Sequence, residues 1–501
     1  MSVDTRTLAA AVVLCTFGTG TVATAQTDFA RVRDEVDTIR IEARAQRFEP
    51  RQSVVAGGFP MHTSDYDVVA VWNPAGKRAH EAWDMSLIFP VPGAMQISFT
   101  NNETVGIRNQ EGGLLGAAGG PMESSRIGAN FKDLWLSNPI ILLAHAEERA
   151  SSRVEGDEGP VERVQLVLED TEWLVDVDSA SGLPAAASTM ENDPHSGRIE
   201  NRIEFSDWRA VDGIPFPFRL EQFTGDQLVR RELRTAVSVN PESAESLLAL
   251  DASELAPGDP AMRRWGWDMS HIILKRAGGG NIGNFPQIEN VSFEEIAPGI
   301  FLVPSTHNNL IIEGPEGLAL VDASWYPERS VTLLDRVAEQ WPGKEITYLI
   351  LTHYHIDHSG GMRPVIEAGA SLVISEKSAD YYREIFESTM TQSVRLIAVD
   401  QFLALDEIGR EIHVYDVYTE HADGMIVAYV PDEKLLFNAD LFSPNRPLQF
   451  SLWFDDLMNA IEWHGIDVEK HVGGHGTGIA AHPVDTSGHM MPVIRMVNPA
   501  R

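Results

Sequence analysis

The sequence THYHIDHSGG at residues 352–361 places four metal-binding side chains within six positions. In extended or tightly turning backbone, side chains two positions apart point to the same side. His353 and His355 are therefore predicted to bind one ion, while Asp357 and His358 face a second. Imidazole nitrogen and carboxylate oxygen are both ligands of zinc, and two ions about 3.5–4 Å apart need ligands at this density. The stretch predicts a centre with two metal ions.

Two ions need further ligands and at least one shared oxygen donor, and three later positions meet this need. His421 follows a strand-like run at 412–418, and Asp440 ends the apolar run at 434–439. His475 lies between glycines, which let backbone and side chain crowd a cation. Each of the three follows a predicted strand, as a site at the edge of a sheet requires.

The carboxy-terminal half of the chain, 288–501, alternates segments of strand length with segments of helical periodicity. In the segment 330–340 the apolar residues Val331, Leu334 and Val337 recur at helical spacing. The predicted strands lie at 299–303, 309–313, 318–321, 346–351 and 372–374, and the predicted helices at 330–340, 362–368 and 378–386. The pattern predicts an α/β fold with sheets covered by helices.

The order of the candidate ligands resembles the metallo-β-lactamase-fold hydrolases, in which an H-x-H-x-D-H motif is followed by a His, an Asp and a glycine-flanked His on an αββα sandwich. The resemblance covers about 215 residues at the carboxy terminus. It implies the following ligands: His353, His355 and His421 for the first metal, Asp357, His358 and His475 for the second, and Asp440 between them.

This ligand set resembles the hydroxyacylglutathione-hydrolase and lactonase branches and differs from the β-lactamases that use a cysteine. It implies two Zn²⁺ ions, with iron or manganese as alternatives, and a hydrolase that cleaves an ester, lactone, thioester or amide of a small molecule. Two divalent ions make hydroxide available near neutral pH without a serine or cysteine nucleophile. Asp357 is predicted to act in catalysis, both as a ligand and by orienting the nucleophile.

Two other functions remain alternatives at this point. The same fold hosts iron sites, so an iron-dependent dioxygenase is the first; di-iron reductases of the family have an acidic residue where this chain has His355. The second is a lipid-binding module in which the metal is structural. Structural zinc sites are usually single and four-coordinate, so seven ligand positions favour the hydrolase.

Loops beside the motif supply further candidate residues. Asp322 ends an early predicted strand, and the resemblance implies that it supports a metal ligand; capping of a turn is the alternative. His307-Asn308 and Trp325-Tyr326 lie on loops that such a fold places near the mouth of the pocket. They are candidate substrate contacts, with ordinary loop packing as the alternative.

The amino-terminal region, 26–276, is predicted to be a β-rich, mainly antiparallel domain. Asp212-Gly213 is a strong hairpin signal between two alternating segments. The sequence DWRAVDGIPFPFRLEQF at 207–223 resembles the curved sheet of bacterial lipoprotein carriers. Such a sheet implies either an apolar ligand in its concavity or a structural partner for the other domain. A glycine-rich stretch at 277–287 is the predicted linker.

The first 25 residues are typical of an export signal. Arg6 precedes an apolar segment at 8–17, and Ala23-Thr24-Ala25 forms a cleavage site of small residues. Retention as an uncleaved membrane anchor is the alternative. The single cysteine, Cys15, lies in this leader, so the mature chain has neither disulfides nor a thiolate ligand. We therefore predict a periplasmic or secreted enzyme.

Composition narrows the range of partners. The formal net charge of −34 disfavours nucleic acid, because binding to phosphates depends on Lys and Arg. No apolar run after the leader reaches the roughly 18 residues of a membrane span. A small-molecule substrate is the partner that this composition favours.

Overall fold

The computed structural model describes residues 27–89, 92–112, 119–146, 148–156, 159–275, 290–446 and 451–484. The predicted leader at 1–25 and the predicted linker at 277–287 lie outside these residues.

The described chain up to residue 275 is built on one antiparallel sheet of thirteen strands. In chain order the strands are β1 Ile39–Glu49, β2 Met61–Asn73, β3 Arg78–Leu87, β4 Gly93–Asn102, β5 Gly106–Gly112, β6 Gly120–Pro121, β7 Glu148–Gly156, β8 Gly159–Leu168, β9 Thr171–Asp178, β10 Pro184–Asp193, β11 Gly197–Val211, β12 Ile214–Thr224 and β13 Gln227–Val239. Their order in the sheet is β6-β5-β4-β3-β2-β1-β13-β12-β11-β10-β9-β8-β7. The antiparallel pair β1 and β13 thus joins two meanders at the middle of the sheet.

The predicted hairpin at Asp212-Gly213 is confirmed. Strand β11 ends at Val211 and β12 begins at Ile214, with these two residues paired. Asp212 and Gly213 have φ angles of 52° and 78°. Positive φ at both central residues matches the right-handed twist of the flanking strands, which explains why Asp-Gly is favoured there.

Helices cover one face of this sheet. The helices of this region are Phe29–Glu35, Ser124–Leu136, Pro139–His145, Ala244–Leu247, Pro260–Asp268 and Ser270–Lys275, and a 3₁₀ turn spans Pro50–Gln52. Trp135 packs edge-on against Trp72 of the sheet, with ring centroids 4.6 Å apart. Phe131, Leu134 and Trp135 belong to the same apolar core as the strands. The face that could have held an apolar ligand is thus packed with this protein's own helices.

The region from residue 290 onward has two facing sheets. In the described residues the first contains β14 Glu294–Ala297, β15 Ile300–Val303, β16 Asn309–Glu313, β17 Leu318–Val321, β18 Ile346–Ile350, β19 Ser371–Ser375 and β20 Leu396–Val399, in that order. The second contains β21 Phe402–Leu405, β22 Ile412–Val417, β23 Met425–Val430, β24 Leu435–Phe437, β25 Lys470–Val472 and β26 Ala480–Ala481. One apolar cluster contains residues of both sheets, among them Leu310 and Val427. The core therefore lies between the sheets.

Helices complete the layers. They span Pro327–Gln340, Ile356–Ser359, Met362–Glu367, Ala379–Thr389 and Phe454–His464. Leu333, Val337 and Ile385 pack with the outer face of the first sheet. Leu457 and Ile461 pack with the second sheet. The predicted αββα arrangement, preceded by an antiparallel β-rich region, is confirmed.

One local prediction was wrong. The helix predicted at 330–340 begins at Pro327, where a proline in the first turn costs no hydrogen bond. Its buried face contains Leu333 and Val337, whereas Val331 is half exposed. The predicted stripe is wrong at Val331, which has the right spacing but is half exposed, whereas Leu334 and Val337 pack with the core.

No helix in the described ranges combines the length and the apolar character that crossing a membrane requires.

Candidate metal centre

The site lies where two parallel strands end. Strands β17 and β18 are parallel neighbours, so their carboxyl ends share one edge of the sheet. Asp322 follows β17 and the motif 352–358 follows β18. Within the motif a short helix begins at Ile356, and His358 N–H donates to the carbonyl of His355 at 2.9 Å. The turn into this helix divides the side chains of the motif between two neighbouring groups of candidate ligands.

The first group of candidate ligands contains His353, His355, His421 and Asp440. Their ligand atoms all lie within 4.8 Å of one another. The Nε2 atoms of His353 and His421 are 3.1 Å apart, and Asp440 Oδ2 lies 3.0 Å from His421 Nε2. The three histidines predicted for the first metal are thus brought together, with Asp440 beside them.

The second group contains Asp357, His358, His475 and His307, again with ligand atoms within 4.8 Å. Asp440 Oδ1 lies 2.8 Å from His358 Nε2 and 3.1 Å from His475 Nε2. Asp440 therefore directs one oxygen to each group, which is the arrangement of a bridging carboxylate. All seven predicted ligands converge, and none lies elsewhere.

Hydrogen bonds from outside the groups orient three of the rings. His358 Nδ1 lies 2.8 Å from Asp322 Oδ2, His475 Nδ1 lies 2.9 Å from the carbonyl of Thr306, and His355 Nε2 lies 3.1 Å from the carbonyl of Ser53. Each oxygen accepts, so in a neutral ring the proton sits on that nitrogen and the opposite nitrogen offers a lone pair. Metal-binding histidines are held in this way.

The donor set fits metal ions. His355 Nδ1 is buried and makes no hydrogen bond within the described part of the chain, and the close contact between His358 Nε2 and Asp440 Oδ1 does not have hydrogen-bond geometry. A buried polar atom without a partner costs roughly 1–3 kcal/mol. A cation bound to these atoms would remove that cost, and nitrogen with oxygen is a donor set that zinc and iron accept.

Burial sets the charge of the site. Burial lowers the pKa of His355 to about 3, and burial with the neighbouring His475 ring lowers the pKa of His307 to about 3. Both rings are therefore neutral at pH 7, the state in which imidazole binds a metal. Burial alone would raise the pKa of Asp440, but the rings of His358 and His475 lower it well below its usual range. The bridging carboxylate is thus an anion.

His358 lies between the carboxylates of Asp322 and Asp440, which favour a positive charge on its ring. Burial opposes a charge on His358, yet these two carboxylates raise the pKa of His358 well above its usual range. Asp322 also accepts from the Thr352 N–H at 2.8 Å, so its role is support of the motif and its histidine. Capping of a turn alone does not describe it.

Sequence reasoning missed Gln52 and Ser53, and it placed His307 and Trp325 at the mouth of the pocket instead of within the site. His307, expected at the mouth of the pocket, lies inside the second group, with Nε2 2.9 Å from Asp357 Oδ2. Trp325, expected there as well, is buried and packs edge-on against His307 with ring centroids 4.5 Å apart. Gln52 and Ser53 come from the amino-terminal region, and Gln52 Nε2 donates to Asp357 Oδ1 at 2.7 Å. Gln52 and Ser53 carry no motif that could have signalled this role.

Known proteins are similar to the part of the chain that contains most of the candidate ligands. The model of the metallo-β-lactamase superfamily matches residues 302–458. A metallo-β-lactamase type 2 of Bacillus cereus is 39% identical over 195 residues, which cover 36% of this chain and 73% of that protein. The alpha subunit of 2,4-dinitroanisole O-demethylase from Nocardioides sp. (strain JS1661) is 24% identical over 183 residues, covering 36% of this chain and 54% of that protein. The chain thus spans about half the length of this relative.

Among solved structures, a metallo-β-lactamase from Pontibacter korlensis aligns with a TM-score of 0.32 and 21% identity, over 38% of this chain and 92% of that one. The match to the Bacillus cereus protein covers most of that relative's length. The chain therefore belongs to the metallo-β-lactamase superfamily.

Proposed function

We propose that this protein is an exported hydrolase that uses two zinc ions to cleave an ester, lactone, thioester or amide bond of a small molecule. One observation carries the proposal: two groups of imidazole and carboxylate atoms, each within 4.8 Å, lie on either side of Asp440. A structural zinc site needs a single closed set of four ligands. The chain offers eight, counting His307.

When bound, such a pair of ions supplies hydroxide near neutral pH and polarises a carbonyl oxygen. The contribution of the chain is to place these ions and to offer them imidazole and carboxylate ligands without a thiol nearby. Asp440 joins the two groups, and Asp357 presents a carboxylate oxygen to the second. The described residues around the groups include no cysteine, so no thiol competes for the ions.

Apolar side chains beside the site support a substrate with an apolar part. Trp453 packs on His421 with ring centroids 4.1 Å apart, and the neighbouring Leu452 is half exposed. The net charge of −34 disfavours long-range attraction of anions. We therefore favour an uncharged or weakly charged carbonyl compound over a phosphate ester.

Metal analysis tests the choice of ion. Protein purified without added metal should contain about two zinc ions per chain. The same ligand types accept iron. If the purified protein contains iron and consumes oxygen, the dioxygenase alternative would be favoured over the hydrolase.

A substrate panel tests the reaction. Chromogenic esters, lactones, a cephalosporin, a thioester and a sulfate ester should include at least one compound that the wild type hydrolyses. His355→Ala should lose that activity, because it removes a buried candidate ligand. His413→Ala is the matched control, since His413 lies on β22 beside Glu411, away from the metal groups. Hydrolysis that survives His355→Ala would refute the proposal.

Export is tested separately. When the full chain is expressed in a Gram-negative host, we expect to find it in the periplasm or medium with Gln26 as its first residue. A full-length chain in the membrane fraction would instead support the uncleaved anchor.

A further inference from the structure

The segment Glu49–Gly58 of the amino-terminal region reaches the metal centre. Gln52 is buried, and its side-chain amide donates to Asp357 Oδ1 at 2.7 Å across 305 positions of sequence. The carbonyl of the next residue, Ser53, accepts from His355 Nε2 at 3.1 Å. Two consecutive residues thus contact one candidate ligand in each metal group.

Contacts before Gln52 hold this segment in place. Arg51 donates to Asp193 Oδ1 at 3.2 Å and to Ser196 Oγ at 3.1 Å, both in the amino-terminal region. The same guanidinium donates to Tyr381 Oη at 3.1 Å, on the other side of the interface. Arg51 therefore ties the segment to both regions at once.

Contacts after Gln52 are equally specific. The Val54 carbonyl accepts from Asp423 N–H at 2.7 Å, two residues beyond the candidate ligand His421. Gly57 has a φ of +70°, and a Cβ there would lie 2.8 Å from the Tyr381 ring. With both flanks fixed, the amide of Gln52 has little freedom to leave Asp357.

The chemistry of the contact suits a metal ligand. An amide N–H holds one carboxylate oxygen without bringing a positive charge, so Asp357 keeps its full charge for a cation. Its other oxygen, Oδ2, faces His307 Nε2 at 2.9 Å in the second group. A lysine or arginine at the same place would compete with the metal ion for the carboxylate. Gln52 thus orients the ligand through Oδ1, while Oδ2 is directed toward the second group.

We propose that the amino-terminal region is a working part of the metal centre, in which Gln52 is a positioning residue that orients Asp357 for the second ion. This inference rests on the proposed function only in requiring two ions. Residues that hydrogen-bond metal ligands typically contribute 10–100-fold to metal affinity. The effect should fall on the second ion, because the side-chain hydrogen bond of Gln52 goes to Asp357, a candidate ligand of the second group.

The experiment measures binding of each ion by competition with a chromophoric chelator, and the visible spectrum of the cobalt-loaded protein. Gln52→Ala and Gln52→Met should weaken binding of the second ion 10–100-fold and leave binding of the first unchanged. Gln52→Met keeps about the size of the side chain and adds no charge but lacks the N–H donor, so it distinguishes loss of the hydrogen bond from loss of packing. Gln46→Ala is the control, because Gln46 makes the same contact, amide to Asp65 at 2.9 Å, on the surface.

The outcomes separate this inference from the proposed function. Weakening of the second ion alone in both variants supports it, whether or not any compound of the panel is hydrolysed. Wild-type affinity in Gln52→Met shows a packing role and overturns it, as does equal weakening of both ions. A wild type that binds a single ion overturns both proposals. If Gln52→Ala fails to fold, Gln52→Met decides alone.

Discussion

Stability should depend on pH through a buried histidine at the interface, His195. Its Nδ1 lies 2.8 Å from Tyr381 Oη and its Nε2 lies 2.7 Å from Ser359 Oγ. The Ser359 hydroxyl donates to the carbonyls of Tyr354 and His355. Ser359 therefore accepts from His195 Nε2–H, and Tyr381 donates to Nδ1. A neutral ring satisfies this chain of hydrogen bonds, and a second proton would break it.

The magnitude follows from the pKa of His195, which burial and the nearby Arg51 charge lower to about 3. The unfolded chain has the ordinary value of about 6.5. Because the folded-state pKa is depressed, the unfolded state binds more protons between pH 6.5 and 3, and stability falls as the pH falls through this window. From pH 7 to pH 5 the loss is about 2 kcal/mol, at about 1.36 kcal/mol per pH unit.

Urea unfolding of the chelator-treated protein at pH 7 and pH 5, followed by tryptophan fluorescence, measures this loss. His195→Gln keeps an amide donor toward Ser359 but does not titrate. The wild type should therefore lose about 2 kcal/mol more than this variant on acidification. Ser359→Ala should be less stable at both pH values but keep the wild-type pH dependence. Equal losses for the wild type and His195→Gln would refute the reasoning.

Three further predictions concern the site and the core. Asp440→Asn should reduce bound zinc from about two ions to one or none by elemental analysis, since the bridging charge is lost; two retained ions would contradict the bridging role. Asp322→Asn should weaken the second ion about 10–100-fold in chelator competition, because His358 loses its carboxylate partner; an unchanged second ion would contradict it. Leu457→Ala should cost about 2–5 kcal/mol in urea unfolding because Leu457 is fully buried, whereas half-exposed Val331→Ala should change stability by less than about 0.5 kcal/mol. A similar loss in both variants would show that burial does not set the cost.

The sequence predicted which candidate ligands lie together because much of its information is local. A strand followed by a tight turn fixes the directions of side chains two to five positions apart, so His353 and His358 could be assigned from spacing alone. The later ligands, His421 and Asp440, were found because each follows a strand and the carboxyl ends of strands converge. Spacing and strand ends are properties of short segments, and a single sequence displays them.

His307 shows where this reasoning stops. It lies on a loop without a motif, and its position depends on the packing of Trp325 against its ring and on the path of the chain around His475. None of these contacts leaves a periodic signal. The exposure of Val331 has the same cause, because spacing defines a stripe but only packing decides which of its residues are buried.

The role of Gln52 is harder still to predict from sequence. Its contact with Asp357 depends on how the amino-terminal sheet docks on the second region, and that docking is fixed by buried polar groups. Across the interface Arg51 donates to Tyr381 Oη at 3.1 Å, and the buried His195 ring bonds Tyr381 Oη at 2.8 Å and Ser359 Oγ at 2.7 Å. Contacts of this kind favour one docked arrangement over its neighbours, because a small displacement would leave a buried polar group without its partner. A segment held with that specificity can orient a metal ligand, and this is why the amino-terminal region belongs in any account of the site.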